Sequence, residues 1–238
     1  MHAANGASVP VLANGADPAK GRWRDLAVRG ASAAVLLPVA LGCLWVGGWL
    51  WSAVVILGGL LMMREWRAMA HAMPAMPRFF LGLAWILPAV IGLEWLRGHE
   101  PGGFGNGLFL LCVVWASDIG AYMVGRLVGG PKLAPAISPG KTRSGALGGL
   151  AAAIAVGLAA ASLGGGAFGS AALIACVLGI ISQAGDLLES AVKRHFGVKD
   201  SGNLIPGHGG LLDRLDAVLT VAPVAAVIVA MRGVELWR

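Results

Sequence analysis

Long apolar runs separated by short polar segments set the pattern of this chain. Runs of Ala, Leu, Val, Ile and Gly occupy about residues 31–47, 49–63, 79–96, 107–125, 144–164, 170–192 and 215–231. A helix needs roughly 20 apolar residues to cross a bilayer, so these runs predict an all-α, polytopic membrane bundle of about seven transmembrane helices. The first two are short and form a tight hairpin at Gly47-Gly48. Residues 1–21 show no hydrophobic period and read as a disordered tail without a convincing cleavable signal peptide. The chain then divides into N-terminal membrane helices over 22–106 and a C-terminal region over 107–238. That second region holds most of the candidate chemistry.

Composition agrees with the pattern. Mean hydropathy is +0.76, with 57% hydrophobic and 13% charged residues, whereas soluble domains carry about 25% charged residues. A soluble globular protein is excluded. The net charge of +6 and pI near 9.8 point to basic loops beside anionic lipid headgroups rather than to nucleic acid. With the N-terminus placed in the cytoplasm, 15 of the 18 Lys and Arg fall in inside segments. Only Arg97, Arg232 and Arg238 fall outside. This bias predicts cytoplasmic loops at 126–143 and 193–214 and an external turn at 97–106. Cys43, Cys112 and Cys176 lie in apolar runs without paired spacing, so neither a disulfide framework nor a zinc site is indicated.

The polar exception to the pattern is the stretch from Gly185 to Asp216. It carries Asp186, Glu189, Lys193, Arg194, Lys199, Asp200, Asp213, Arg214 and Asp216 between two apolar spans. Charges at membrane depth cost roughly 2.5–3.5 kcal/mol each, so such a cluster is a functional-site hypothesis by default. Asp186, Glu189 and Lys193 are spaced i, i+3 and i+7 along one helix face. Asp213 and Asp216 open the next span. Carboxylates from facing helices suit Mg²⁺, with a second cation left open, because that ion completes its shell with water and substrate phosphates. Asp186 and Asp213 are the expected principal ligands, with Glu189 and Asp216 beside them. The bland alternative, carboxylates that merely pair with Lys193, Arg194 and Arg214, suits one pair better than four.

Between the carboxylates runs Ile205-Pro206-Gly207-His208-Gly209-Gly210, a glycine-rich loop of the kind that lets backbone approach phosphate. Lys193, Arg194, Lys199 and Arg214 supply cations for phosphate oxygens. A second patch lies upstream: Asp118 with Tyr122 at i+4, then Ser138-Pro139-Gly140-Lys141-Thr142 on a turn-prone backbone. Gly125/Gly129 and Gly145/Gly149 have small-xxx-small spacing, which predicts close helix approach inside the bundle or at a homodimer contact.

These residues resemble a known family. Ser190, Lys193-Arg194, Lys199-Asp200, Gly202, Ile205 through Gly210 and Asp213-Arg214-x-Asp216 match the signature of phosphatidate cytidylyltransferases, here over residues 190–216. Asp118-x-x-Ala121-Tyr122 and Ser138-Pro139-x-Lys141-Thr142 are similar to that family too. One departure is Ser144, where members usually carry an acidic residue before the glycine. The resemblance covers about residues 107–231. It implies a metal-dependent nucleotidyl transfer in which CTP and phosphatidate give CDP-diacylglycerol and pyrophosphate, at the cytoplasmic face of the inner membrane.

On that reading Asp186, Asp213, Lys193 and Arg214 carry the reaction. Ser138, Lys141, Thr142, Arg194, Lys199, His208, Gly209, Gly210, Asp118 and Tyr122 bind substrate. A related enzyme acting on another lipid phosphate or polyprenol is the nearest alternative. An ion-coupled transporter using Asp118, Asp186 and Glu189 is the alternative from another class, but transport leaves the Pro-Gly-His-Gly-Gly loop unexplained.

Overall fold

The protein is described by a computed structural model covering residues 34–99, 102–205, 207 and 209–238. The expected tail, the basic residues Lys20 to Arg29, Pro206 and His208 lie outside the described residues. Among the described residues, seven helices appear where the apolar runs predict them. They are α1 (Ala34–Val46), α2 (Gly48–Met69), α3 (Ala75–Gly98), α4 (Gly103–Val128), α5 (Arg143–Gly164), α6 (Phe168–His195) and α7 (Leu212–Arg232). Among the described residues, α2 to α7 are long and apolar enough to cross a membrane, and α1 is shorter. Leu127, Leu163 and Met231 are largely exposed on the outer faces, as lipid-facing positions should be. This is a multi-pass helical membrane protein.

The helices run further than the apolar runs. Arg64, Glu65, Trp66 and Arg67 continue α2 rather than opening a loop. Trp66 explains the extension: its ring packs edge-on against Trp85 and Phe196, and its indole N–H donates to the Arg78 carbonyl at 2.7 Å. The expected external turn at 97–106 is likewise shorter, because Gly103 and Gly105 already belong to α4. Gly105 is where the Trp237 ring packs against that helix, leaving no space for a Cβ.

Two strands interrupt the helical pattern. β1 (Lys132–Ala134) and β2 (Ser138–Thr142) pair antiparallel, Lys132 opposite Thr142 and Ala134 opposite Ser138. The Ser138–Thr142 run is therefore the second strand of a hairpin, beyond the turn its Pro and Gly suggest. Thr142 also caps α5, its Oγ1 accepting from the Gly145 N–H at 3.1 Å. Ser144, at the departure from the family pattern, donates its hydroxyl to the Gly129 carbonyl and ties the hairpin to the end of α4.

Small residues bring α4 and α5 together. A Cβ at Gly145 would stand 2.7 Å from the Ala121 carbonyl oxygen, and one at Gly120 would stand 2.7 Å from that of Gly148. Gly125 and Gly149 join this seam, so the α5 glycines serve contact within the chain. Gly129 does not: it ends α4 in the left-handed region at φ 64°. On the other side of the bundle, Gly92 of α3 admits the α7 backbone at Ala222. The main core, including Trp66, Leu110, Val113, Leu178, Leu212 and Val221, lies between these pairs.

Connections alternate between two ends. Gly47, Arg97, Gly102, Gly165 and the C-terminal Glu235–Arg238 gather at one, where Arg97 donates to the Leu44 carbonyl at 2.7 Å and Leu236 donates to Asn106 at 3.0 Å. The hairpin and the segment 196–211 gather at the other. That second end carries the candidate site.

Candidate functional site

At this end α4, α5, α6 and the hairpin enclose a cleft of about 460 Å³. Asp118, Tyr122 and Arg126 line it from α4, Gly140, Lys141 and Thr142 from β2, and Gln183 and Asp186 from α6. Lys141 forms an ion pair with Asp186. The hairpin therefore carries its lysine across 45 residues of chain to Asp186, four residues ahead of the signature. Asp118, Asp186 and Asp216 lie within electrostatic reach of one another, and Lys141 reaches Asp118 as well. Tyr122 accepts a hydrogen bond from Arg126 at 3.3 Å at the rim.

The four expected ligands do not form one cluster. Asp186 faces the cleft, whereas Glu189, one turn on, is fully buried and pairs with Lys193 at 2.6 Å. Lys193 also reaches Asp213 at 2.8 Å. Residues three apart on a helix differ by about 60° in direction, enough here to send the two carboxylates to different neighbours. Asp213 in turn accepts the backbone N–H groups of Ser201 at 2.9 Å and Gly210 at 3.0 Å. Glu189, Lys193 and Asp213 thus form a strut linking α6, α7 and the signature loop. Asp216 lies between the two groups, within electrostatic reach of Asp186 and Asp118 on one side and of Glu189 and Lys193 on the other.

Among the described residues no three His, Cys, Asp or Glu side chains stand as a ready-made metal cage. The donor set nonetheless fits a hard divalent cation. Asp118 and Asp186 share Lys141 as the cation at the cleft, Asp216 lies within electrostatic reach of both, and Mg²⁺ needs only one or two carboxylates when water and substrate phosphate complete its shell. Asp186, with Asp118 and Asp216, is the group that would hold it.

The remaining predicted residues fall around this centre. Arg194 is exposed and donates to the Ile137 carbonyl at 3.4 Å and the Val198 carbonyl at 3.1 Å, bracing the hairpin against the loop. Lys199 and Arg214 are exposed at the same end. Ser138 begins β2 and lies outside the cleft lining. Gly209 closes a tight turn, its carbonyl accepting from Ile205 N–H at 2.9 Å. The turn needs positive φ at Gly207 (76°) and Gly209 (84°), which only glycine adopts at little cost.

Two residues escape the sequence reading. Gln183 donates to the Ala146 carbonyl at 3.0 Å and joins α5 to α6 in the cleft wall. A lone amide three residues before Asp186 in an apolar span was its signal. Glu65 of α2 accepts the N–H groups of Leu211 at 3.0 Å and Leu212 at 2.8 Å. It also lines a second cleft of about 360 Å³ with Leu61, Arg64, Ala68 and residues 201–204.

Fold and site together define a multi-pass membrane protein with its carboxylates and cations gathered at one end of the bundle. Comparison with known proteins narrows the class. The model of the cytidylyltransferase family matches residues 79–232. A phosphatidate cytidylyltransferase of Brucella suis biovar 1 (strain 1330) is 46% identical over 201 residues, covering 84% of this chain and 69% of the relative. One of Staphylococcus epidermidis (strain ATCC 12228 / FDA PCI 1200) is 38% identical over 185 residues, covering 75% of this chain and 71% of the relative. The chain belongs to the cytidylyltransferase family.

Proposed function

We propose that this protein transfers the cytidylyl group of CTP to phosphatidate, giving CDP-diacylglycerol and pyrophosphate. The observation that carries the reading is the Lys141–Asp186 pair in the cleft. It brings the Ser138–Thr142 segment, which resembles the family, to the membrane helix that runs on into the signature at Ser190. Similarity to the Brucella suis phosphatidate cytidylyltransferase over 84% of the chain supports the same substrates.

In this reaction a phosphate oxygen of the lipid attacks the α-phosphorus of CTP. The bond to the β-phosphate bridging oxygen breaks, and pyrophosphate leaves with that oxygen. Little covalent chemistry falls to the protein, and positioning with charge neutralisation does most of the work. Lys141 leaves Asp186 to meet a nucleotide phosphate. Arg126, at the rim, faces the same polyanion. The strut of Glu189, Lys193 and Asp213 keeps the signature loop in register with the cleft. Bound at Asp118, Asp186 and Asp216, Mg²⁺ would neutralise phosphate charge at the reacting centre.

The site is assigned to the cytoplasmic face of the cell membrane, where CTP is available. Among the described residues, eleven Lys and Arg belong to the site end of the bundle and Arg97, Arg232 and Arg238 to the other. Purified protein in mixed micelles should release pyrophosphate from CTP only when phosphatidate is present. Release with a polyprenyl phosphate instead would move the assignment to another lipid phosphate, and release with neither would remove it.

A further inference from the structure

Glu65 stands on α2, fourteen residues before the region that the family model matches, yet its carboxylate sits inside the signature loop. It is buried. Oε1 accepts the Leu211 N–H at 3.0 Å, and Oε2 accepts the Leu212 N–H at 2.8 Å and the Ser201 hydroxyl at 3.4 Å. Leu211 precedes α7 as its cap and Leu212 begins it, so a carboxylate from another helix satisfies N–H groups that the helix start leaves open. Negative charge at a helix N-terminus is also favoured by the helix dipole.

The loop's glycines record the same contact. Gly207 and Gly209 need their positive φ, but Gly202 and Gly210 do not adopt it. Their missing side chains have a different cause. A Cβ at Gly202 would stand 2.8 Å from Glu65 Oε1, and one at Gly210 would collide with the Ser201 Oγ and stand 2.8 Å from Glu65 Oε2. Gly202 leaves room for the Glu65 carboxylate, and Gly210 for that carboxylate together with the Ser201 hydroxyl that donates to it. Asp213, next in line, holds the Ser201 and Gly210 N–H groups from the opposite side. The loop therefore hangs between two carboxylates, one that opens the catalytic helix and one from outside the matched region.

We infer that Glu65 is a positioning residue for the reaction. It fixes the loop and the start of α7, and through them Asp213 and Asp216, without touching the nucleotide cleft. The inference rests on the proposed cytidylyl transfer, but half of its test does not.

Glu65→Gln keeps the size of the side chain and one acceptor oxygen while removing the charge and the second acceptor. In detergent-purified protein it should lower kcat at least tenfold and leave KM for CTP within threefold. The cleft that takes CTP is built by α4, α5, α6 and the hairpin, so its affinity should survive. Hydrogen exchange should rise in peptides covering 199–212 and stay unchanged in those covering 126–145. Leu60→Ala, on the same helix and 64% exposed, is the control that should change neither. Gly202→Ala should cost at least tenfold in kcat alone but less than twofold when added to Glu65→Ala, where the carboxylate it displaces is gone.

Wild-type kcat with wild-type exchange in Glu65→Gln overturns the inference, as does an additive effect of Gly202→Ala. If the wild-type protein itself fails to turn over, the proposed function falls and the exchange experiment still decides whether Glu65 holds the loop. Uniformly faster exchange along the chain would show general destabilisation and also overturn a positioning role.

Discussion

Lys141 offers a sharp division between nucleotide binding and fold stability. It sits on a short hairpin, pairs with Asp186, and keeps 27% of its side chain exposed, against 31% for Asp186. Ion pairs this open to solvent contribute about 0–1 kcal/mol to stability. Lys141→Ala should therefore unfold within a few degrees of wild type. Its effect on turnover should be much larger. A charge-assisted contact to phosphate is worth about 1.5–3 kcal/mol, which is roughly ten- to a hundredfold in kcat/KM for CTP. The variant also leaves Asp186 without its cation beside Asp118, so metal affinity should hold or improve. A lysine acts on phosphate as a point charge and is no metal ligand. The assay is a grid of initial rates against CTP and Mg²⁺, with thermal unfolding in the same detergent. A kcat/KM for CTP within twofold of wild type would refute the reasoning and leave the Ser138–Thr142 strand a scaffold only.

Asp186→Asn and Asp213→Asn should both abolish turnover but differ in stability. The Asp213 side chain is 6% exposed and pairs with Lys193 at 13%. Breaking such a pair costs about 3 kcal/mol or more, so Asp213→Asn should lower the unfolding midpoint measurably while Asp186→Asn leaves it close to wild type. Gly149→Ala should destabilise by about 1–3 kcal/mol in denaturant titration, because its Cβ would stand 2.6 Å from the Ser117 carbonyl oxygen. Cysteines placed at positions 138 and 203 should react with an impermeant maleimide only from the cytoplasmic side; labelling of both from outside intact cells would reverse the orientation.

The helices were legible because a bilayer demands long apolar segments, and only their ends were obscured. Trp66 and Glu65 carry α2 past its last aliphatic residues because each finds a partner on another element, which no local pattern displays. The hairpin was hidden for a similar reason. Pro131, Pro135, Pro139 and Gly140 announce turns, whereas the pairing of Lys132 with Thr142 depends on packing against α4, α5 and α6. The described residues of the signature gather at the hairpin end of the bundle. The signature did not reveal how the carboxylates divide. Helical spacing tells which residues share a face, but the neighbours of that face decide that Asp186 meets Lys141 and Glu189 meets Lys193. Glu65 had no signal beyond a single acid among arginines at the end of an apolar run.

The central claim is that the α-phosphate of CTP becomes bonded to the lipid while the β- and γ-phosphates leave together. Parallel reactions of the purified protein with phosphatidate and CTP labelled at either the α- or the γ-phosphorus test it directly. The account predicts α-label in the organic-soluble product and γ-label in released pyrophosphate. Transfer of the γ-label to lipid, or of neither label, would contradict it.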